Sequence, residues 1–293
     1  MIREIFQLPN WRDPRYLQVS IHVLYAMVAR LIFNFESSFG HFLIPLAYCI
    51  ALDALVSKLV YRKPNHVLTS MVVACGCCLM IYSPSIWPYI GAVTVGVLGK
   101  AFVRFEGRHV FNPSNFGVVT MLALFPNWAV TSGNLFSGYW GPSMVFFVLG
   151  TINVIWARQA TLAFVWLIAF TIFNYYRGIV TDSMFPLVYL MFNPLLLMFT
   201  FHMITDPSTT PKTTLFRFIF PVLVAFADVV MRYYSIIGAQ FFGLFLITCF
   251  MPFIRTVEER FWPGSWSRMY KPDPWSVLRG KPNPSLTKTG QIS

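Results

Sequence analysis

The run Phe111-Asn112-Pro113-Ser114-Asn115-Phe116-Gly117 opens a short apolar stretch, and Phe192-Asn193-Pro194 interrupts a longer one later in the chain. Proline lacks a backbone donor and turns the residue before it out of helical geometry. Asn-Pro inside apolar sequence therefore breaks a helix and leaves backbone amides and carbonyls to satisfy. In lipid such breaks survive only where protein or a cavity covers them. Paired breaks in the two halves of a membrane chain predict a structural repeat with a site at its interface. Two unrelated proline kinks would give the same three-residue match.

The sequence around these breaks is that of a membrane protein. Of its 293 residues, 56% are apolar and 11% charged, against roughly 25% charged in soluble domains. Disorder, collagen and coiled coil are excluded by the same composition. A bilayer core about 30 Å thick takes about 20 apolar residues of helix. Ten runs qualify, at 17–34, 41–60, 67–83, 86–103, 114–129, 142–157, 159–175, 185–203, 215–232 and 236–254. The expected fold is an all-α polytopic membrane protein, with about ten transmembrane helices in two five-helix pseudo-repeats. Its divisions are an amino-terminal segment, 1–16, a membrane domain, 17–256, and an interfacial tail, 257–293, with Trp262, Trp266, Trp275 and repeated prolines among basic residues.

Charge sets the direction. The formal net charge is +11, but a basic balance is ordinary for polytopic membrane proteins, and no nucleic-acid partner is expected. With the amino terminus cytoplasmic and ten spans, every Lys and Arg except Arg30, Arg177 and Arg232 falls on the cytoplasmic side, including seven from Arg255 to Lys288. Both termini are expected inside. The first apolar run starts late and carries Arg30, which argues against a cleaved signal peptide.

Polar residues gather at both breaks. Lys100, Arg104, Glu106, Arg108 and His109 form a charged collar before the first, and Ser114 and Asn115 after it are placed to cap a helix whose amides would face an anion or polar headgroup. After the second break comes Met203-Ile204-Thr205-Asp206-Pro207-Ser208-Thr209-Thr210-Pro211-Lys212-Thr213-Thr214, rich in hydroxyls. Part of that run reads simply as the start of the ninth helix, capped by Thr213 or Thr214. Both elements fall on the cytoplasmic side and are expected to converge.

These residues resemble a known family: the D subunit of the Rnf electron-transport complex and the B subunit of the sodium-pumping NADH:quinone oxidoreductase. Ser83-Pro84 through Lys100 to Gly117 is similar to the family's stretch ending in Asn-Pro-Ala and a glycine, and Met203 to Pro211 resembles its Met-Ala-Thr-Asp-Pro-Val-(Ser/Thr)-Ala-Pro motif. Order, spacing and Arg232 agree as well. Asn-Pro-Ser-Asn-Phe-Gly and Thr-Asp-Pro-Ser-Thr-Thr-Pro also resemble the relatives labelled enediyne biosynthesis membrane proteins. The resemblance implies a subunit of a larger complex in the bacterial cytoplasmic membrane, with membrane or redox subunits and lipid as partners, that passes electrons through flavin. The family attaches flavin to Thr in a Ser/Thr-Gly-Ala-Thr motif. Here the corresponding region reads Thr131-Ser132-Gly133-Asn134 and Gly141-Pro142-Ser143, and Gly-Ala-Thr occurs nowhere. The implied cofactor is therefore FMN or riboflavin held noncovalently, at Lys100, Arg108, Asn112, Pro113, Ser114, Asn115, Gly117, Asn193, Thr205, Asp206, Ser208 and Thr209. A transporter with a polar solute at its broken helices, or a structural subunit that keeps the fold without cofactor, is open as the alternative.

Other residues invite chemistry less strongly. Cys75-Gly76-Cys77-Cys78 has close thiol spacing, but small residues in a span also let helices approach. His22, His66, His109 and His202 lack metal spacing, so no haem is expected. Asp228 and Arg232 are placed to pair four residues apart, Arg30 and Asp53 have the charges to pair between the first two spans, and Asp53 is the stronger functional candidate.

Overall fold

A computed structural model describes residues 6–7, 14–31, 39–62, 64–132, 140–182 and 193–266. The helices are α1 (Pro14–Leu31), α2 (Gly40–Val56, widening into a π turn at Ser57–Tyr61), α3 (Val67–Met80), α4 (Trp87–Phe102) and α5 (Pro113–Leu124). They continue with α6 (Trp140–Trp156), α7 (Ala160–Val180), α8 (Pro194–Met198, with a π turn at Phe199–Met203), α9 (Thr214–Tyr233), α10 (Ala239–Thr248) and α11 (Met251–Phe261). The architecture is all-α.

Three helical segments, Gly40–Tyr61, Ala160–Val180 and Thr214–Tyr233, are long and apolar enough to cross a membrane. The pair α10 and α11, bent by 47°, passes the same test when taken together. Their outward faces carry Leu43, Ile44, Leu55 and Leu59 on α2, Ile168, Ile172 and Ile179 on α7, and Phe218 and Phe226 on α9, all exposed. Apolar surface of that extent requires a lipid or protein covering.

Each Asn-Pro break is a helix start. Asn112 Oδ1 accepts the Asn115 amide at 3.0 Å, and Asn193 Oδ1 accepts the Leu195 amide at 2.8 Å, with Pro113 and Pro194 in the first turn. Asn supplies the acceptor and Pro the preset φ without wasting a donor. Two expectations change here. Asn112 is the cap, whereas Ser114 Oγ donates to the Val73 carbonyl at 3.1 Å and Asn115 Nδ2 to the Phe241 carbonyl at 3.1 Å. Among the described residues the breaks open the fifth and eighth helices.

Packing runs through two similar sets of contacts. α1 lies against α3, α2 against α3 and α4, and α5 against α3 and α4; later in the chain α6 lies against α8, α7 against α8 and α9, and α9 against α10. The sets meet where α1 packs on α6 and α5 on α10. Gly117 belongs to this packing: a Cβ there would lie 2.1 Å from the Ala92 carbonyl oxygen, so glycine lets α5 touch the α4 backbone. Gly76 serves likewise against Ser114. Cys75, Cys77 and Cys78 are buried, and the described residues contain no group of three or more His, Cys, Asp or Glu able to hold a metal.

Three two-residue strand pairs complete the fold: β1 (Phe6–Gln7) with β2 (Asn65–His66), β3 (Ile81–Tyr82) with β6 (Val130–Thr131), and β4 (Arg104–Phe105) with β5 (Arg108–His109). The last is a hairpin within the charged collar. Glu106 (φ 48°) and Gly107 (φ 77°) form its turn with both φ positive, the backbone that suits a two-residue hairpin.

The carboxy-terminal region departs from the expected irregular interfacial tail. α11 extends through Phe261, and Trp266 is buried rather than lipid-facing. Its indole Nε1 donates to Glu258 Oε2 at 2.7 Å, and its ring faces Arg255, Lys212 and Arg108 at 4.7, 5.0 and 5.2 Å. Glu258 also accepts from the amides of Lys212 (3.0 Å) and Thr213 (2.7 Å) and from Thr213 Oγ1 (2.6 Å). A distant carboxylate thus satisfies the amino terminus of α9, where a side-chain cap from Thr213 or Thr214 was expected; a negative group there also suits the helix dipole. Gly133, Asn134, Phe192, Trp275, residues 267–293 and the Arg30 side chain lie outside the described residues.

Candidate functional site

The two polar elements converge. Asn112 Nδ2 donates to the Met203 carbonyl at 3.2 Å while its Oδ1 caps α5, so one side chain ties the first break to the end of α8. His109 Nε2 meets Asp206 Oδ2 at 3.3 Å. Arg255 reaches both loops from α11, donating to the carbonyls of Phe105 (3.2 Å), His109 (3.0 Å) and Ser208 (2.8 Å). The 205–210 turn is also locked from within. Asp206 Oδ1 accepts the Ser208 amide at 2.9 Å, and its carbonyl accepts Thr210 Oγ1 at 2.9 Å.

Beside this junction lies a cavity of about 760 Å³. Its walls come from α1 (Arg15, Gln18, His22), α3 (Thr69, Val72, Val73, Gly76, Met80), the end of α4 (Lys100) and the start of α5 (Asn112, Pro113, Ser114). The rest come from His109, the end of α6 (Asn153, Ala157), His202 and Met203 on α8, and the turn Thr205–Ser208. The π turn at the end of α8 carries His202 and Met203 into this wall; such turns are frequent at functional sites.

Seven of the twelve expected contact residues line the cavity: Lys100, Asn112, Pro113, Ser114, Thr205, Asp206 and Ser208. The other five are not among its lining residues. Arg108 lies over Trp266, Asn115 is committed to the Phe241 carbonyl, and Gly117 packs on Ala92. Asn193 caps α8, and Thr209 Oγ1 bonds the Asp206 carbonyl at 3.4 Å. Arg15, His22, Asn153 and His202 were not expected as contacts. Polar side chains inside apolar helices were their only signal, and nothing local brings α1 and α6 to α3 and α8.

The cations at the cavity are already engaged. Lys100 Nζ pairs with Asp53 Oδ2 at 2.6 Å, and that oxygen also accepts Ser70 Oγ at 2.7 Å. Asp53, 1% exposed, is therefore a structural counter-ion of a cavity lysine. Arg15 donates to Thr69 Oγ1 at 2.7 Å and lies 2.9 Å from His66 Nε2. Elsewhere Asp228 and Arg232 pair at 2.8 Å, with Gln240 as a further partner of the arginine, as a structural ion pair.

Two loop groups shift together. Burial pushes the Asp206 carboxyl upward, but the hydrogen bond and charge of His109 and the Ser208 amide outweigh it, leaving the carboxyl below its ordinary range. Burial holds His109 below 6.5, with Asp206 opposing. Burial, reinforced by Arg108, lowers Lys212 to about 8. Between the lowered His109 value and 6.5 the unfolded chain binds a proton that the folded chain disfavours. This contribution is intact above pH 6.5 and is lost as pH falls below it; Asp206 adds a second loss on acidification through 3.8. His109→Gln keeps an amide donor for Asp206 and removes the first titration. Its melting midpoint is expected to fall less than the wild type's between about pH 7 and pH 5; parallel profiles would sink the assignment.

No family model matches the chain, and no curated protein matches it.

Proposed function

We propose that this chain is a ten-span membrane subunit of an electron-transport complex that holds a noncovalent flavin, FMN or riboflavin, in the cavity beside Asn112 and Asp206. The observation that carries the reading is the meeting of both polar elements at one partly open cavity. Contact order supports a two-unit architecture, since α1–α5 and α6–α10 repeat similar pairings. The cavity lies where α1 and α3 face α6 and α8. A binding site at a repeat interface is the arrangement expected of such membrane folds.

The residues fit the cofactor. A space of about 760 Å³ is within the roughly 300–1,000 Å³ of small-molecule sites. Val72, Val73 and Met80 offer apolar wall to a ring, Asn112, Ser114 and Asn153 offer polar contacts, and Arg15, with the Lys100 N–H groups not used in the pair with Asp53, offers donors for a phosphate. Among the described residues, both nitrogens of His22 and Nε2 of His202 are buried without a hydrogen-bond partner. Bound flavin would accept and release electrons. The protein's part is to orient it, shield it from water and set its hydrogen bonds. A solute carrier would place its substrate in the same space, and the outcome below separates the two.

The test is the absorption and fluorescence of detergent-purified protein before and after acid precipitation. Flavin in the acid supernatant is the expected result. Asn112→Ala and Asp206→Ala should each reduce retained flavin to a similar degree. Absence of flavin in both fractions, with none regained on incubation with FMN or riboflavin, would reject the redox reading and favour solute transport.

A further inference from the structure

Helices α7 and α9 are both long and apolar enough to cross a membrane, and they pack on one another. They begin side by side. Arg217, in the first turn of α9, donates through Nη2 at 2.9 Å to the carbonyl of Arg158, which lies in the link between α6 and α7. Two arginines are thus neighbours at one end of the helix pair. Arg158 is exposed and has a left-handed backbone, φ 56°, which a residue bearing a Cβ seldom adopts. Among the described residues its guanidinium makes no hydrogen bond, and neither arginine is in an ion pair. Arg217 uses one of its five N–H groups to close the end of α6. The α9 dipole does not explain its place, because a cation in the first turn stands at the positive end.

The far end of the same two helices is built differently. There Arg232 pairs with Asp228 at 2.8 Å and donates to Gln240 at 2.8 Å, while Arg177 Nε donates to Asn174 Oδ1 at 3.3 Å. Acceptors within the protein answer the cations at that end. At the starting end two like charges stand together with no carboxylate paired to them, which is unfavourable beside hydrocarbon unless an anion is supplied from outside. The flank of the arginines is apolar. Ile155 and Trp156 at the end of α6 are 60% and 66% exposed, and Leu215 and Phe218 at the start of α9 are 54% and 49% exposed. An open tryptophan at the end of an apolar helix suits the boundary between headgroups and acyl chains.

We propose that Arg158 and Arg217 hold the phosphodiester of an anionic phospholipid whose acyl chains cover Ile155, Trp156, Leu215 and Phe218. Guanidinium forks match phosphate oxygens in geometry and charge. A zwitterionic lipid would bring its own cation to a place that already has two. Free phosphate would satisfy the arginines and leave the apolar flank uncovered. Neither arginine lines the cavity, so the inference goes beyond the proposed function and does not depend on what the cavity holds.

The test uses the full chain, delipidated and reconstituted in phosphatidylcholine vesicles with a photoactivatable phosphatidylglycerol, and mass spectrometry of the labelled peptides. Labelling of wild type is expected to concentrate at 155–158 and 215–218. Added phosphatidylglycerol should compete it away, and neither extra phosphatidylcholine nor inorganic phosphate should do so. Arg158→Gln keeps the backbone carbonyl that Arg217 uses, so it removes the charge without opening the end of α6. It should raise the phosphatidylglycerol needed for half-maximal labelling about fivefold, the effect of one cation at a lipid surface. Arg217→Gln should do the same, and the two effects should multiply in the double variant. Arg62→Gln removes another exposed cation, at the end of α2, and should leave labelling at these peptides unchanged. The wild-type pattern needs no variant to fold. Labelling spread evenly over the helix ends, or an equal loss in Arg62→Gln, would reduce the site to general surface charge and overturn the proposal. Competition by phosphatidylcholine would replace it with a site for any lipid, and competition by inorganic phosphate with a site for a free anion.

Discussion

Arg255→Met is expected to cost about 3 kcal/mol or more and to loosen the ligand site along with the fold. Arg255 is 1% exposed and donates to three carbonyls, Phe105 and His109 in the β4–β5 hairpin and Ser208 in the turn after α8. Methionine has similar reach but no donors, so three carbonyl oxygens lose charge-assisted bonds and Trp266 loses the cation closest to its ring. Arg255→Lys should recover only part of the loss, because an ammonium on one stem cannot span three acceptors as a planar fork does. Thermal unfolding in detergent and proteolysis within 104–109 are the measurements. A melting midpoint and cleavage rate indistinguishable from wild type would show that the two loops hold their places without Arg255.

The second large effect concerns Lys100. Lys100→Met should destabilise by about 3–5 kcal/mol, since it strands the buried Asp53 carboxylate with Ser70 Oγ and no cation. Lys100→Met combined with Asp53→Asn should recover most of that stability, because a neutral amide in place of the carboxylate removes the stranded charge. Ligand binding should separate from stability: the double variant still lacks the cavity's lysine, so affinity for FMN should stay low while affinity for riboflavin, which has no phosphate, recovers. If the double variant unfolds as readily as the single one, Asp53 is not the source of the cost. If FMN and riboflavin respond alike, Lys100 does not meet the phosphate.

Much of the local structure was legible in the residues. Helices α2, α3, α4 and α9 begin within one residue of the apolar runs expected at 41, 67, 86 and 215. A long apolar run in a lipid setting has one economical way to satisfy its backbone, and that way is local. Asn112-Pro113 and Asn193-Pro194 were likewise readable as breaks, because the proline ring constrains the residue before it whatever the surroundings. Their status as helix caps depends on which acceptor each asparagine finds, and so did the capping of α9, whose acceptor, Glu258, lies 45 positions away from Thr213.

The site was half legible. Lys100, Asn112, Ser114 and Asp206 announce themselves as polar residues beside breaks in apolar sequence, and they do line the cavity. Gly117 was misread because a glycine near a break serves a ligand's approach or a helix's approach equally well in one dimension. Trp266 was misread for a similar reason. A tryptophan among basic residues suits a membrane interface, and only the positions of Arg108, Lys212 and Arg255 around its ring reveal a buried cluster. His22 and His202 are separated by 180 positions, and each alone is an ordinary polar residue in an apolar helix.

The sequence by itself determined that this is a helical membrane protein, where its helices run, where two of them break and which polar groups attend the breaks. These follow from backbone hydrogen bonding and side-chain transfer between water and hydrocarbon, which act over a few residues at a time. Tertiary structure alone decided that α1 packs on α6, that Lys100 answers Asp53, and that the imidazoles of His22 and His202 meet in one cavity wall. Those pairings are chosen by packing among helices far apart in the chain, where many alternatives share the same local pattern and only the assembled core distinguishes them.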